Sequence, residues 1–321
     1  MSPDAPHGEA PVRIAFLGTP DVAVPPLEAL LVSPDVEVVV VVTNPDRPRG
    51  RSRTPQPPPV KVAAEQAGVP VWQPERPREV LDDLRALDLD AAAVVAYGAL
   101  LPTDVLEAVR TGFVNLHYSL LPRWRGAAPV QHAIRAGDEV TGATTFVLDA
   151  GMDTGAVIDH VSTPIGEQET AGSLLDRLTA IGAPLLVDSV VALARGTAEP
   201  TPQPDDGATL APKITPDDVA IDWTRPAVEL ARLVRSANPA PGAHTTFRGE
   251  RCKLWHARPV EPGDAAGTPD AAPGEVVDAG GTLLVACGEG LLEVTELQPA
   301  GKPRMAGDAF ANGYRPERFG A

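Results

Sequence analysis

Aromatic residues make up only 4% of this 321-residue chain, which has two cysteines and six histidines. Cys252 and Cys287 lack metal-like spacing and a companion His pair, so no metal site is expected. A bridge between them is allowed by count, but reduced thiols in a cytoplasmic protein fit better. No uninterrupted apolar run approaches membrane-spanning length, so no membrane is expected. The first eleven residues are polar and Pro-rich, without the basic-then-apolar order of a secretory signal, and read as a disordered tail. Cations are scarce too: 27 Lys and Arg face 43 Asp and Glu, a net charge of −16. The excess is uneven, −13 over residues 1–206 and −3 over 207–321. Binding to nucleic acid is dominated by phosphate neutralisation, so any RNA contact must rest on local basic patches. The turn Gly18-Thr19-Pro20 lacks the Gly-x-Gly-x-x-Gly pattern, which argues against a dinucleotide there. No Gly-x-Ser-x-Gly elbow surrounds Ser119, so no activated serine is evident.

What is present is an alternation of apolar runs and helical patterns. Residues 13–17 read as a strand and 22–31 as a helix. Residues 36–42 are a nearly unbroken β-branched run, as in a central parallel strand buried on both faces. A helix over 60–67, a short strand over 69–72, a helix over 78–87 and a strand over 91–96 follow. Beyond a strand ending near Gly112 to Val114 come a helix over 129–136, antiparallel strands at 144–148 and 156–161, and a long helical pattern over 170–195. Such alternation predicts an open, mostly parallel α/β sheet of Rossmann-like type. Pro-, Thr-, Asp- and Gly-rich residues after Gly196 mark a linker. A helix over 226–236 and five short strands separated by Gly then suggest a small β-barrel. The expected organisation is a tail over 1–11, an α/β domain over 12–196, a linker over 197–216 and a barrel domain over 217–321.

Chemistry concentrates between Asn115 and Pro129. Asn115 and His117 fall on one side of an extended chain, and strand ends in open α/β sheets are where ligands bind. Ser119, the Leu121-Pro122 turn and two guanidinium groups, Arg123 and Arg125, follow at once. Trp124 between those arginines could anchor a surface loop or stack on a planar ring. The arginines themselves could be solvated or face phosphates. Between the two antiparallel strands lie Asp149 and Asp153, and on residues alone either could be a plain Asx turn or a site carboxylate. Arg47, Arg49, Arg51 and Arg53 alternate with Pro, Gly and Ser in a loop too long for a plain connector. It reads either as a solvated loop or as one that closes on a polyanion.

Asn115-x-His117 with Ser119-Leu120-Leu121-Pro122, continued as Arg-Trp-Arg-Gly-Ala-Ala-Pro, resembles the signature of the folate-dependent formyltransferase family. Gly142 to Gly155 is similar to that family's strand and loop carrying the active-site aspartate, which maps onto Asp153. The resemblance covers nearly the whole chain after the tail. It implies an enzyme that moves the formyl group of 10-formyltetrahydrofolate, without a metal, to an amine. The longer string points to the amine of methionine esterified on initiator tRNA as acceptor; the alternative is a small amine such as glycinamide ribonucleotide or an amino sugar. A binding protein that has lost catalysis would have no need of Asn115, His117 and Asp153. The resemblance further implies that these three are catalytic and that Ser119, Leu120, Leu121 and Pro122 contact folate through main-chain groups, with Leu121–Pro122 a candidate cis peptide. It assigns Arg47, Arg49, Arg51 and Arg53 to a tRNA-binding loop, with Arg51 matching a Gly-Arg element, and makes the barrel OB-like. A monomer is expected.

Overall fold

The computed structural model describes residues 10–48, 54–260, 271–279 and 281–320. The chain forms two compact units: Met1–Gly126 with Gly142–Thr163 and Leu175–Leu210, and Ala127–Thr141 with Pro164–Leu174 and Ala211–Ala321.

In the first unit the strands are β1 (Val12–Gly18), β2 (Val36–Val42), β3 (Arg47–Pro48), β4 (Pro55–Gln56), β5 (Val71–Trp72), β6 (Ala91–Val95), β7 (Phe113–His117), β8 (Val140–Val147) and β9 (Val157–Pro164). The main sheet has seven strands in the order β5-β2-β1-β6-β7-β8-β9. β2, β1, β6 and β7 run parallel, as does β5, and β8 returns antiparallel to β7. Small and β-branched residues suit strands covered on both faces: all five residues of β6 are buried. The helices of this unit are α1 (Val24–Val32), α2 (Pro59–Gln66), α3 (Leu81–Ala86) and α4 (Thr103–Leu106); α5 (Pro129–Ala136) belongs to the second unit, and α6 (Ala171–Ala194) has its first turn in the second unit and the rest in the first. Pro in the first turn opens α1, α2 and α5, where its missing N–H costs nothing. The helix expected over 78–87 begins as a 3₁₀ turn, Pro77–Val80, opened by a proline and carrying the charged Arg78 and Glu79, and continues as α3. α6 is long and apolar enough to cross a membrane, although no uninterrupted apolar run in the sequence is. Leu178, Leu186 and Val190 on this helix are fully buried.

The strand order reverses direction between β1 and β6, and ligands in such sheets bind at the carboxyl edge near that reversal. Side chains tie that edge together. Thr19 Oγ1 donates to the Tyr97 carbonyl at 3.1 Å, and Asn44 Nδ2 donates to the same carbonyl at 3.0 Å. Lys61 Nζ lies 3.0 Å from Asp46 Oδ1 and donates to Gln73 Oε1 at 2.8 Å, fixing the chain just before the basic loop.

In the second unit α7 (Ala227–Ser236) packs on a six-stranded antiparallel sheet: β10 (Ala243–Phe247), β11 (Glu250–Pro259), β12 (Val276–Ala279), β13 (Thr282–Ala286), β14 (Leu291–Gln298) and β15 (Met305–Ala306). The order is β10-β11-β14-β13-β12, with β15 on β14, giving half a barrel. Trp223, Leu230, Val234, Leu254, Leu292 and Phe310 belong to its core. α8 (Gly307–Tyr314) contributes Phe310, stacked on Tyr314 at 4.7 Å. Cys252 and Cys287 are separate buried thiols, pushed up by burial to about 11 and about 12.

Candidate active site

β7 ends the parallel run of the sheet and carries the first two site residues. Asn115 pairs with Val94 on one side and Phe146 on the other, so hydrogen-bonded backbone flanks the strand end on both sides. Asn115 is half-buried, and its side-chain amide has no partner among the described residues. His117 is buried, with Phe146 edge-on at 6.5 Å.

The imidazole is held at one nitrogen and faces a carboxylate at the other. Nε2 lies 2.8 Å from the Trp124 carbonyl; a carbonyl only accepts, so Nε2 carries the proton. Nδ1 then presents its lone pair 3.7 Å from Asp153 Oδ2. Burial lowers the His117 pKa and outweighs the Asp153 charge and the Trp124 carbonyl, which raise it. The ring is therefore neutral at rest. A proton arriving at Nδ1 would meet a carboxylate.

Asp153 reaches this position through a turn with its own backbone in the left-handed region (φ 53°), which Asp tolerates. Its Oδ2 accepts the Gly126 N–H at 2.7 Å. Two residues on, a Cβ on Gly155 would overlap the Val147 carbonyl, so only glycine lets the loop fold back against β8. Asp149 is engaged elsewhere. Its Oδ1 accepts from the Gly151 N–H at 2.9 Å and the Thr154 hydroxyl at 2.7 Å, an Asx-turn arrangement. Of the two aspartates, the structure puts Asp153 beside the histidine.

The turn after β7 is closed internally. Ser119 Oγ donates to the Arg123 carbonyl at 2.6 Å, Thr144 Oγ1 donates to the Ser119 carbonyl at 2.7 Å, and the Arg123 N–H bonds Leu120 O at 3.1 Å. The Leu121–Pro122 peptide is cis. The Leu121 carbonyl accepts no hydrogen bond among the described residues. Trp124 sits at φ 64°, uncommon for a bulky side chain, with the Arg123 guanidinium 4.3 Å over its ring. Arg125 is not simply solvated: its Nε and Nη2 donate to Gln203 Oε1 at 3.0 and 2.8 Å.

Gln203 is the site residue that sequence reasoning missed. Its Nε2 donates to the carbonyls of Asp153 and Gly155, both at 2.8 Å, joining the aspartate loop to Arg125. Thr209 adds an anchor, accepting the Trp124 N–H at 2.9 Å. Both lie in the stretch whose composition reads as a linker, where nothing distinguishes a bonding Gln from a solvated one.

Of the basic loop, Arg47 pairs with Gln56 across the β3–β4 ribbon, and its guanidinium lies 3.7 Å from Glu75 on an exposed surface. Arg49, Arg51 and Arg53 lie outside the described residues. Among the described residues no His, Cys, Asp and Glu cluster could hold a metal ion.

The arrangement offers a free amide donor, a neutral imidazole facing a carboxylate, and a fixed turn around one available carbonyl. The family described as formyl transferase matches residues 12–190, and the formyl transferase C-terminal domain matches 213–315. The methionyl-tRNA formyltransferase of Acidothermus cellulolyticus is 48% identical over 318 residues, covering 95% of this chain and 98% of that one. Among solved structures, an N-formyltransferase from Helicobacter canadensis, in complex with folinic acid and dTDP-3-aminofucose, has a TM-score of 0.66 at 17% identity. It covers 90% of this chain and 99% of its own. HypX from Aquifex aeolicus, in complex with tetrahydrofolic acid, has a TM-score of 0.64 at 18% identity, covering 94% of this chain and 47% of its own. At such identities these two structures speak for a common fold alone. The full-length match carries more: this chain belongs to the methionyl-tRNA formyltransferase family.

Proposed function

We infer that this protein transfers the formyl group of 10-formyltetrahydrofolate to the amino group of methionyl initiator tRNA. The observation that carries the reading is the juxtaposition of an unpartnered Asn115 amide with the His117–Asp153 pair at one strand end. Transfer of a formyl group to an amine passes through a tetrahedral intermediate. Its oxygen gains negative charge, and a proton must leave the attacking nitrogen. Asn115 donates to the developing oxyanion. His117, neutral at rest, takes up the amine proton at Nδ1, directly or through water, and Asp153 stabilises the imidazolium so formed. The proton then passes to the departing folate nitrogen. Because Nε2 keeps its bond to the Trp124 carbonyl, the ring need not turn during the cycle.

Ser119 to Pro122 form the wall against which the pterin lies, with the Leu121 carbonyl as main-chain acceptor. Arg47, Arg49, Arg51 and Arg53 contact the acceptor stem. Residues 12–196 carry the donor and the chemistry, and 217–321 bind tRNA in a cytoplasmic monomer. The test supplies labelled 10-formyltetrahydrofolate to the protein with methionyl initiator tRNA, free methionine, glycinamide ribonucleotide and an amino sugar nucleotide in separate reactions. Label on the charged tRNA alone is the expected result. Label on a small amine, with none on the tRNA, overturns the reading.

A further inference from the structure

The second unit holds a cavity that the chemistry above does not use. About 180 Å³ in volume, it lies between the β10–β11 turn, the loop after β14 and the end of α8. Its walls include Arg248, Arg251, Lys302, Phe247, Tyr314 and one carboxylate, Glu250.

Three features single it out. The first is charge. In a chain of net charge −16, described arginines are commonly paired with acids, as Arg13 with Glu37, Arg225 with Glu229 and Arg258 with Glu293. Around this cavity the cations have neutral partners instead. Arg248 Nη2 donates to the Tyr314 carbonyl at 2.9 Å, and Arg251 Nη2 donates to His244 Nε2 at 3.1 Å. Neither they nor Lys302 make an ion pair among the described residues. His244 reports the local field: its pKa is lowered by burial, then by Arg251 and Lys253, against a smaller opposing effect of Asp217.

The second feature is backbone. Arg248 and Gly249 form the two-residue turn between β10 and β11, both in the left-handed region (φ 51° and 76°). Such turns favour Asn-Gly or Asp-Gly, and an arginine at the first position is held against its preference. Strain of this kind gathers where a side chain is needed for binding. The third is the flat apolar wall. Phe247 lies under the Arg248 guanidinium at 4.9 Å, and Tyr314 lines the cavity beside it.

Cations without counter-ions beside aromatic rings fit a phosphate attached to a sugar or base. We propose that this cavity is a nucleotide-phosphate subsite, in which Arg248, Arg251 and Lys302 hold a phosphodiester of the RNA substrate and Tyr314 lies against the adjoining ribose or base. The proposal rests on the reading that RNA is the substrate, and it adds a contact point in the second unit, remote in sequence from the Arg47–Arg53 loop.

The test measures binding of full-length protein to uncharged initiator tRNA across a range of salt concentrations. Arg248→Asn is the informative variant, because Asn suits the turn and should leave the melting temperature equal or higher. Its salt slope should fall by about 1, and that of the Arg248→Asn, Arg251→Gln, Lys302→Gln combination by about 2 to 3. Tetrahydrofolate affinity should not change. Unaltered slopes in the stably folded variants overturn the proposal. A second arm titrates wild type and the combination with AMP. Tight AMP binding lost in the combination, with tRNA binding intact, would assign the cavity to a free nucleotide and overturn the RNA assignment. Wild-type formylation of charged tRNA is measured alongside. Formylation with unaltered slopes means that only the subsite fails; no formylation means that the functional reading fails, whatever the slopes.

Discussion

Replacing Asp153 by Asn isolates the charge beside His117 while sparing the local geometry. The Asn oxygen can still accept the Gly126 N–H, and Asn tolerates the left-handed backbone that Asp153 adopts. What disappears is a carboxylate 3.7 Å from Nδ1. At that separation, carboxylate and imidazolium attract by about 4 kcal/mol at an effective dielectric constant near 20. Solvent screens part of it, because the Asp153 side chain is 20% exposed. If His117 is neutral in the ground state and charged as the amine loses its proton, this attraction acts mainly in the transition state. Losing about 2 to 4 kcal/mol there slows turnover by roughly 30- to 1000-fold. The assay is single-turnover formylation of methionyl initiator tRNA at saturating donor, with tetrahydrofolate affinity and thermal melting as controls. Donor affinity and melting temperature should hold. The acid limb of the rate profile should move to lower pH, since removing the anion lowers the His117 pKa further. Near-normal turnover in Asp153→Asn would refute the role given to the pair. An acid limb moving to higher pH would refute the neutral resting state.

Four shorter tests follow from other parts of the structure. Asn115→Ala should cut kcat by on the order of 10²–10³ with little change in donor affinity, as removal of an oxyanion donor does; an effect confined to KM would contradict the assignment. Gln203→Ala removes the bonds joining Arg125 to the aspartate loop, and roughly a tenfold or larger loss of kcat is expected from misplacement of Asp153. Gly155→Ala drives a Cβ into the Val147 carbonyl and should destabilise the fold by about 1–3 kcal/mol, read by denaturant titration. A thiol reagent at pH 8 should label neither cysteine in the native protein and both after unfolding, since burial pushes Cys252 to about 11 and Cys287 to about 12.

Much of the sheet is legible in the sequence because its signals are local. A β-branched run such as Val36–Val42 has few other structures open to it, and the Pro and Gly residues bracketing the helices mark their ends. Asn115 and His117 are legible for the same reason, since a two-residue spacing on a strand fixes a common face. Asp153 is different. Nothing in its own surroundings separates it from Asp149, and resemblance alone favours it at the sequence level. The physical distinction is non-local: Asp149 spends its oxygen on Gly151 and Thr154, whereas Asp153 meets a backbone N–H from Gly126, 27 residues away in sequence. The protonation state of His117 is equally invisible beforehand, because burial sets it and burial is a property of the assembled sheet.

That burial also yields a consequence for stability. The folded-state pKa of His117 is lowered, so the unfolded chain takes up this proton first as pH falls. The contribution is fully present above about pH 6.5, the ordinary histidine value, and is lost as pH falls from there toward the folded-state pKa. His117→Gln removes the titrating group while keeping an amide that can donate to the Trp124 carbonyl. Wild type should therefore lose more unfolding free energy between pH 7 and pH 5 than His117→Gln, in parallel denaturant titrations. Other groups titrating over the same range are common to both proteins and cancel in the difference. Equal pH dependence in the two would mean that the native ring accepts its proton as readily as the unfolded one, and the neutral resting state on which the proposed proton transfer depends would have to be given up.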